Sequence, residues 1–108
     1  MKNKTVLRKV IGAYRCTQFD GNVSHLQTWL NQWAEERYEV ETYNHFLKTS
    51  SGFNIPECDA VVFDEQEGIA YPVLNESWIC LYECDTLCTV LQLVVMDTDD
   101  FNEIMKEI

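Results

Sequence analysis

Apolar residues recur at helical spacing in one long stretch near the start of the chain. Four of them stand three or four positions apart: Leu26, Trp29, Leu30 and Trp33. This spacing puts them on one face of a helix and predicts an amphipathic helix over roughly residues 24–37. Ser24 and Gln27 match the S-x-x-Q capping box, which predicts that the helix begins at Ser24.

Most of the remaining apolar residues follow the two-residue period of β-strands. Residues 6–19 predict one long first strand, with Gly12 as a place for a bend, and residues 38–46 predict a second strand. Shorter apolar runs divided by turn residues predict four more strands: 60–63, 69–74, 77–82 and 87–96. We expect the last two of these strands to form a central antiparallel pair.

The final segment predicts a short helix. Thr98 is its expected cap, and Asp99 and Asp100 stand in the first turn, where the helix dipole favours anions. Its apolar stripe is the following set: Phe101, Ile104, Met105 and Ile108. Pro72 has no amide donor, so we expect its strand at a sheet edge or a bulge, and an uncovered edge leaves a dimer open.

These elements together predict an α+β fold over residues 1–108 as a single domain. We expect a twisted, mostly antiparallel sheet of about five to six strands, with helices packed on one face. One long amphipathic helix follows strand 1, and a short helix ends the chain. The length of 108 residues and an apolar content of 46% suit one hydrophobic core.

Composition also bears on location. The sequence contains no run near the ~20 apolar residues that a membrane span requires. Its basic N-terminus is not followed by the apolar segment of a signal peptide. Five cysteines in such a chain favour reduced thiols that pack as small apolar side chains. We therefore expect a cytoplasmic protein.

Charge is distributed unevenly along the chain. The formal net charge is −10, and residues 49–108 hold thirteen acidic residues against the single base Lys106. Eight acids at predicted turns and in the final segment are the candidate partner-binding surface: Asp64, Glu65, Glu67, Glu83, Asp85, Asp97, Asp99 and Asp100. Such a surface repels nucleic acid and attracts a basic protein. The alternative is that the charge serves solubility alone.

Metal, redox and nucleophilic chemistry find little support in the sequence. Three cysteines stand four residues apart: Cys80, Cys84 and Cys88. A zinc site would require a second ligand pair, and no C-x-x-C redox motif is present. A catalytic triad would need His25 or His45 beside Cys16 or Ser77, and sequence order links none of them. We expect no cofactor, no metal and no enzymatic activity.

Two stretches carry a family resemblance. The segment Gln18-Phe19-Asp20-Gly21 leads into the helix with Trp29-Leu30, and Trp78-Ile79 precedes a final acidic segment with Phe101. This order resembles small bacteriophage and prophage proteins of unassigned function. Glu76-Ser77 stands where those proteins carry Gly-Asp. The resemblance implies a phage origin and brings no catalytic residues.

The features above give an ordered set of functional hypotheses. The first is a non-enzymatic phage-type accessory protein whose acidic surface binds and inhibits a host or defence protein, with nucleic-acid mimicry as one form. The second is a small-ligand-binding or assembly module with an aromatic pocket. Its candidate lining is a set of five residues: Trp29, Trp33, Tyr71, Trp78 and Tyr82. The third is an enzyme that uses Cys16 or a Cys/His pair.

Overall fold

The computed structural model describes residues 3–8, 13–50, 52, 54–82 and 92–107. Its elements in chain order are β1 (Asn3–Arg8), β2 (Ala13–Gln18), α1 (Val23–Ala34), β3 (Tyr38–Thr42), α2 (His45–Ser50), β4 (Ala60–Asp64), β5 (Ile69–Val73), β6 (Trp78–Tyr82), β7 (Gln92–Met96), α3 (Thr98–Ile104) and β8 (Met105–Glu107). The α+β class and the antiparallel strand pairing are confirmed.

The chain forms two compact units. Unit 1 combines both ends of the chain, Met1–Asp20 and Glu76–Ile108, and unit 2 is the intervening segment Gly21–Asn75. Unit 1 contains a five-stranded sheet in the order β7-β6-β2-β1-β8, and unit 2 contains a three-stranded sheet in the order β3-β4-β5. The prediction of one continuous sheet is therefore wrong, since the strands divide between the two units.

The predicted long first strand is wrong, because residues 6–19 contribute to two strands. In unit 1, β1 and β2 pair antiparallel, with Asn3 opposite Thr17 and Leu7 opposite Ala13. Pairing lets each strand satisfy its backbone groups on its neighbour, which a single strand of that length does not achieve alone. Gly12, the expected bend, lies outside the described residues.

One face of the unit 1 sheet is closed by α3. The hydrophobic cluster there contains Cys16 of β2, Trp78 and Cys80 of β6, and Phe101 of α3. The rings of Trp78 and Phe101 stack with centroids 4.1 Å apart and planes 9° from parallel. Val94 of β7 packs against this cluster. Strands β6 and β7 pair antiparallel as predicted, but β7 is an edge strand of the sheet, so this pair is not central.

The short C-terminal helix is confirmed, with Asp99 and Asp100 in its first turn. Its cap differs from the prediction, because Asp97 Oδ1 accepts the amide of Asp100 at 2.7 Å. The Thr98 hydroxyl instead donates to the carbonyl of Glu76 at 3.3 Å. Met105 was expected on the helix stripe, but it begins β8, which pairs with β1.

Helix α1 of unit 2 is shorter than predicted, with 12 residues, and follows β2. Its cap is Asn22, whose side chain accepts the amide of His25 at 3.2 Å, so the capping box is wrong. The Gln27 amide binds β3 instead: it donates to the Tyr38 carbonyl and accepts the Val40 amide, both at 2.8 Å. A side-chain amide thus closes the outer edge of β3, as a neighbouring strand would.

The predicted strand over residues 38–46 ends early. Strand β3 stops at Thr42, and α2 begins at His45. The Asn44 side chain accepts the amide of Leu47 at 2.8 Å, which is the local signal for a helix start. Asn at this position therefore decides against continuation of the strand.

The β4–β5 hairpin follows the prediction. The amide of Gly68 donates to the Asp64 carbonyl at 2.9 Å, and Gly68 has a φ of 66°, which glycine adopts without strain. Strand β5 is the outer strand of its three-stranded sheet, and Pro72 lies in it, as expected for a residue without an amide donor. The hydrophobic core of unit 2 includes Leu30 of α1 and Val62 of β4, both fully buried.

Candidate functional site

A buried ion pair joins the segment after α1 to the end of β4. The Arg37 Nε donates to Asp64 Oδ1 at 3.3 Å, and its Nη2 donates to Oδ2 at 3.0 Å. The two side chains are only 9% and 2% exposed. This fork-to-fork contact fixes both groups in one orientation, because a planar guanidinium matches the two carboxylate oxygens.

Asp64 also organises the hairpin loop that follows it. Its Oδ1 accepts the amides of Gln66 at 3.0 Å and Glu67 at 3.2 Å. Burial alone would raise the pKa of the Asp64 carboxyl, but the hydrogen bonds from Arg37 and from the loop amides outweigh it and lower that pKa. The hydrogen bond to Asp64 raises the pKa of Arg37. Both groups therefore stay charged, and the loop is held by their pairing.

Two tyrosines surround this pair. The guanidinium carbon of Arg37 lies 5.3 Å from the centre of the Tyr38 ring, within cation–π range. Burial raises the pKa of Tyr38 to about 12, and its hydroxyl meets no hydrogen-bond partner within the described part of the chain. Burial followed by the Asp64 charge raises the pKa of Tyr71. Both rings therefore stay neutral and pack as apolar walls.

An acidic groove lies beside the ion pair. It has a volume of about 280 Å³ and is lined by the following residues: Ala34, Glu35, Glu36, Arg37, Glu65 and Gln66. The amide of Glu65 donates to the Arg37 carbonyl at 3.4 Å, which brings the two lining segments together. Glu35, Glu36 and Glu65 are exposed and form no ion pair with any described residue. Their carboxylates are thus available to a cation or a basic side chain.

The backbone at Glu35 is strained. This residue caps the C-terminal end of α1, directly after Ala34, with φ 55° and ψ −129°, a region of positive φ that glycine adopts far more readily. The cost of such a conformation is about 1–3 kcal/mol. A glutamate occupies a position that glycine would suit better, and this residue lines the groove. Residues kept under strain cluster at functional sites, which directs attention to this groove.

The predicted acidic surface is only partly as expected. Asp64 was predicted to be exposed, but it is buried against Arg37, because a carboxylate at the end of β4 stabilises both the loop and the arginine. Glu65 and Glu67 are exposed in the same loop of unit 2. Three acids are exposed at the start of α3 in unit 1: Asp97, Asp99 and Asp100. Glu83 and Asp85 lie outside the described residues.

Sequence reasoning missed three groove residues: Glu35, Glu36 and Arg37. All three fall within the helix predicted over residues 24–37, which in fact ends at Ala34. One signal was present, since Arg37 is one of only two basic residues in unit 2, the other being Lys48. An arginine among so many acidic residues is favoured to pair with a carboxylate, and an arginine is buried only when it is paired.

The other predicted candidates take structural positions. Cys16 is buried beside Cys80, so its sulfur is not placed as an exposed nucleophile. Trp29 and Trp78 are buried in the cores of their own units, which favours packing over the lining of a ligand pocket. Tyr82 is the last residue of β6, and Cys84 and Cys88 fall outside the described residues.

Two negative findings apply to the described ranges only. Within them, three His, Cys, Asp or Glu side chains nowhere come together in a way that would bind a metal. No helix in the same residues is long and apolar enough to cross a bilayer. Comparison of the chain with protein-family models, with curated proteins and with solved structures finds no match.

Proposed function

We propose that this chain is a non-enzymatic acidic binding protein that engages and inhibits a partner protein with a basic surface. The observation that carries the proposal is the acidic groove, whose lining includes three exposed glutamates, Glu35, Glu36 and Glu65, without cationic partners among the described residues. Unit 2 has nine acidic residues and two basic ones, a formal charge of −7. A field of this sign accelerates encounter with a basic surface.

The buried ion pair supports the proposal by fixing the groove. Arg37 lines the groove, but its guanidinium is bound to Asp64. It therefore neutralises the buried Asp64 carboxylate and not the exposed glutamates of the groove. The same Asp64 holds the loop that carries Glu65. Carboxylates on a loop already held in place lose less conformational entropy when a partner binds.

The target class is inferred from charge and from the resemblance at the two ends of the chain. Small phage proteins of this kind act inside a bacterial host, so the partner is proposed to be a host or defence protein. A basic surface that normally holds nucleic acid would also accept a row of carboxylates, which is the basis of nucleic-acid mimicry. Asp97, Asp99 and Asp100 at the start of α3 are proposed as a second acidic contact.

The proposal is tested by capture from bacterial lysate with a matched pair of variants. The groove variant carries Glu35→Gln, Glu36→Gln and Glu65→Gln. The control variant neutralises three acids of the same unit that do not line the groove: Glu39, Glu41 and Glu57. Both variants change the net charge equally, so a difference in capture between them reports where the charge is removed.

We expect the wild-type chain to capture a basic protein at low salt and to lose it at high salt, because screening weakens exposed charge pairs. The groove variant should lose the same protein, whereas the control variant should retain most of it. Equal loss of the captured protein in the two variants would show that capture depends on the net charge and not on the groove. Capture that is unaffected by salt and by both variants would contradict the proposal.

A further inference from the structure

Two cysteines face each other across the centre of unit 1. Cys16 of β2 is paired in register with Cys80 of β6, although the two are 64 positions apart in the chain. The Cys16 thiol donates to the Cys80 sulfur, with the two Sγ atoms 2.8 Å apart. The residues are 1% and 0% exposed. The sulfurs are therefore within about 1 Å of the separation of a disulfide bond.

The backbone at this pair also suits a cross-link. The amide of Phe19 donates to the Ser77 carbonyl at 2.9 Å, and the Phe19 carbonyl accepts the amide of Glu76 at 3.0 Å, so Phe19 directs its backbone hydrogen bonds toward the strand that contains Cys80. Pairs alternate along such a ladder, so Cys16 and Cys80, three positions further on, form a non-hydrogen-bonded pair. Cα atoms in these pairs lie about 4.5 Å apart, within the range that disulfides span. Closure needs no shift of either strand.

We propose that Cys16 and Cys80 form a dithiol–disulfide site, oxidised by hydrogen peroxide. One thiol gives up its proton and attacks a peroxide oxygen as the thiolate, so that the O–O bond breaks and a sulfenic acid forms, while the departing hydroxide takes up the proton and leaves as water. The neighbouring thiol then displaces the sulfenic hydroxyl, so that the S–S bond forms and a second water leaves. Two electrons pass from the two sulfurs to the peroxide, and no other reactant is required.

Access to the pair depends on α3. Phe101 belongs to the same cluster as the two cysteines and stacks on Trp78, the residue two positions before Cys80 in β6. The hydrogen bond from Cys16, followed by burial, raises the pKa of the Cys80 thiol. The first chemical step is therefore slow while α3 is in place, and the second is fast because the partner sulfur is already adjacent. The finished bond would join the chain segments that precede and follow unit 2 in the sequence.

The test uses the full chain with the other three cysteines replaced: Cys58→Ser, Cys84→Ser and Cys88→Ser. The folded protein is treated with hydrogen peroxide, alkylated and mapped by mass spectrometry. We expect a loss of two hydrogen atoms, a single cross-link between Cys16 and Cys80, a rise in melting temperature and full reversal by dithiothreitol. The wild-type chain is mapped in parallel and should contain the same cross-link, which covers the case in which the triple variant folds poorly.

Three results of the peroxide experiment would overturn the proposal. A pair that stays reduced while Cys58 is oxidised would be inert packing. Oxidation of one sulfur to sulfinic acid without a cross-link would show that its partner does not reach it. A cross-link that forms only in denaturant would belong to the unfolded chain. A Phe101→Leu variant should cross-link several-fold faster than its parent, and an unchanged rate would contradict the role of α3.

Discussion

The two units bury different kinds of pair at corresponding depth. Unit 1 encloses two neutral thiols beneath an aromatic stack, whereas unit 2 encloses an arginine and an aspartate. Each unit contains nine acidic residues, but unit 1 has six basic residues and unit 2 has two. Their formal charges are thus −3 and −7. The acidity of unit 2 arises from the scarcity of cations rather than from additional carboxylates, and one of its two cations is held inside by Asp64.

The largest expected effect comes from removal of one member of the charged pair. Asp64→Ala leaves Arg37 buried without its partner and should lower the free energy of unfolding by about 3–5 kcal/mol. Urea unfolding monitored by tryptophan fluorescence measures this change. Glu65→Ala, one residue further along the exposed loop, should shift stability by less than about 0.5 kcal/mol. A similar loss of unfolding free energy in the two variants would show that the Arg37–Asp64 pair does not stabilise the fold.

Acid should remove part of the same stabilisation. The folded-state pKa of Asp64 is depressed, so its contribution is complete above the ordinary carboxyl pKa of about 3.9 and is lost as the pH falls through the lower folded value. The stability difference between wild type and Asp64→Asn should therefore shrink as the pH is lowered below 4 or so. A difference that stays constant down to strongly acidic pH would argue against the charged form of Asp64 in the folded state.

An intermediate effect is expected at Gln27, which closes the edge of β3. Gln27→Ala leaves the Tyr38 carbonyl and the Val40 amide without their partner and should cost about 1–3 kcal/mol. Gln32→Ala, at an exposed position of the same helix, is the control and should be nearly neutral. Hydrogen exchange at Val40 reports directly on this contact. Unchanged protection of that amide in Gln27→Ala would contradict the assigned role.

The smallest effect is a gain in stability at the strained residue. Glu35→Gly relieves the positive φ and should raise the free energy of unfolding by about 1 kcal/mol after the entropy cost of glycine. Glu36→Gly, at the next position, should only lose stability. If the groove binds a basic partner, the stabilised Glu35→Gly variant should bind it more weakly. A variant that gains stability and keeps full affinity would remove Glu35 from the site.

Local signals in the sequence predicted several elements correctly. Three of them depend on neighbouring residues, so spacing alone suffices: the buried positions Leu26, Trp29 and Leu30 of α1, the hairpin loop ending at Gly68 and the acidic first turn of α3. Trp33 was predicted on the same face of α1, but it is 36% exposed. The division of residues 6–19 between β1 and β2 depends instead on pairing between strands. No Asn-Gly or Asp-Gly dipeptide stands between the two strands in the sequence to predict a hairpin turn.

The candidate site was harder to predict because the residues in contact there are far apart in the sequence. Arg37 and Asp64 are 27 positions apart, and nothing local links them. Glu35 enters the groove only because α1 ends at Ala34, earlier than the helical pattern indicated. Gln27 was assigned to a cap, although its amide serves β3. Side chains that satisfy a distant partner follow the tertiary structure and override local preference.

The most direct test of the account compares the two units as binding surfaces for the captured basic partner. Affinity is measured across a salt series for the wild type and for two triple charge reversals to lysine, one at Glu35, Glu36 and Glu65 and the other at three exposed acids of α3: Asp99, Asp100 and Glu103. The account predicts that reversal in unit 2 abolishes binding and its salt dependence, while the equal reversal in unit 1 weakens binding far less. Equal weakening by the two reversals, or stronger weakening by the one in unit 1, would contradict the assignment of the groove as the principal binding site.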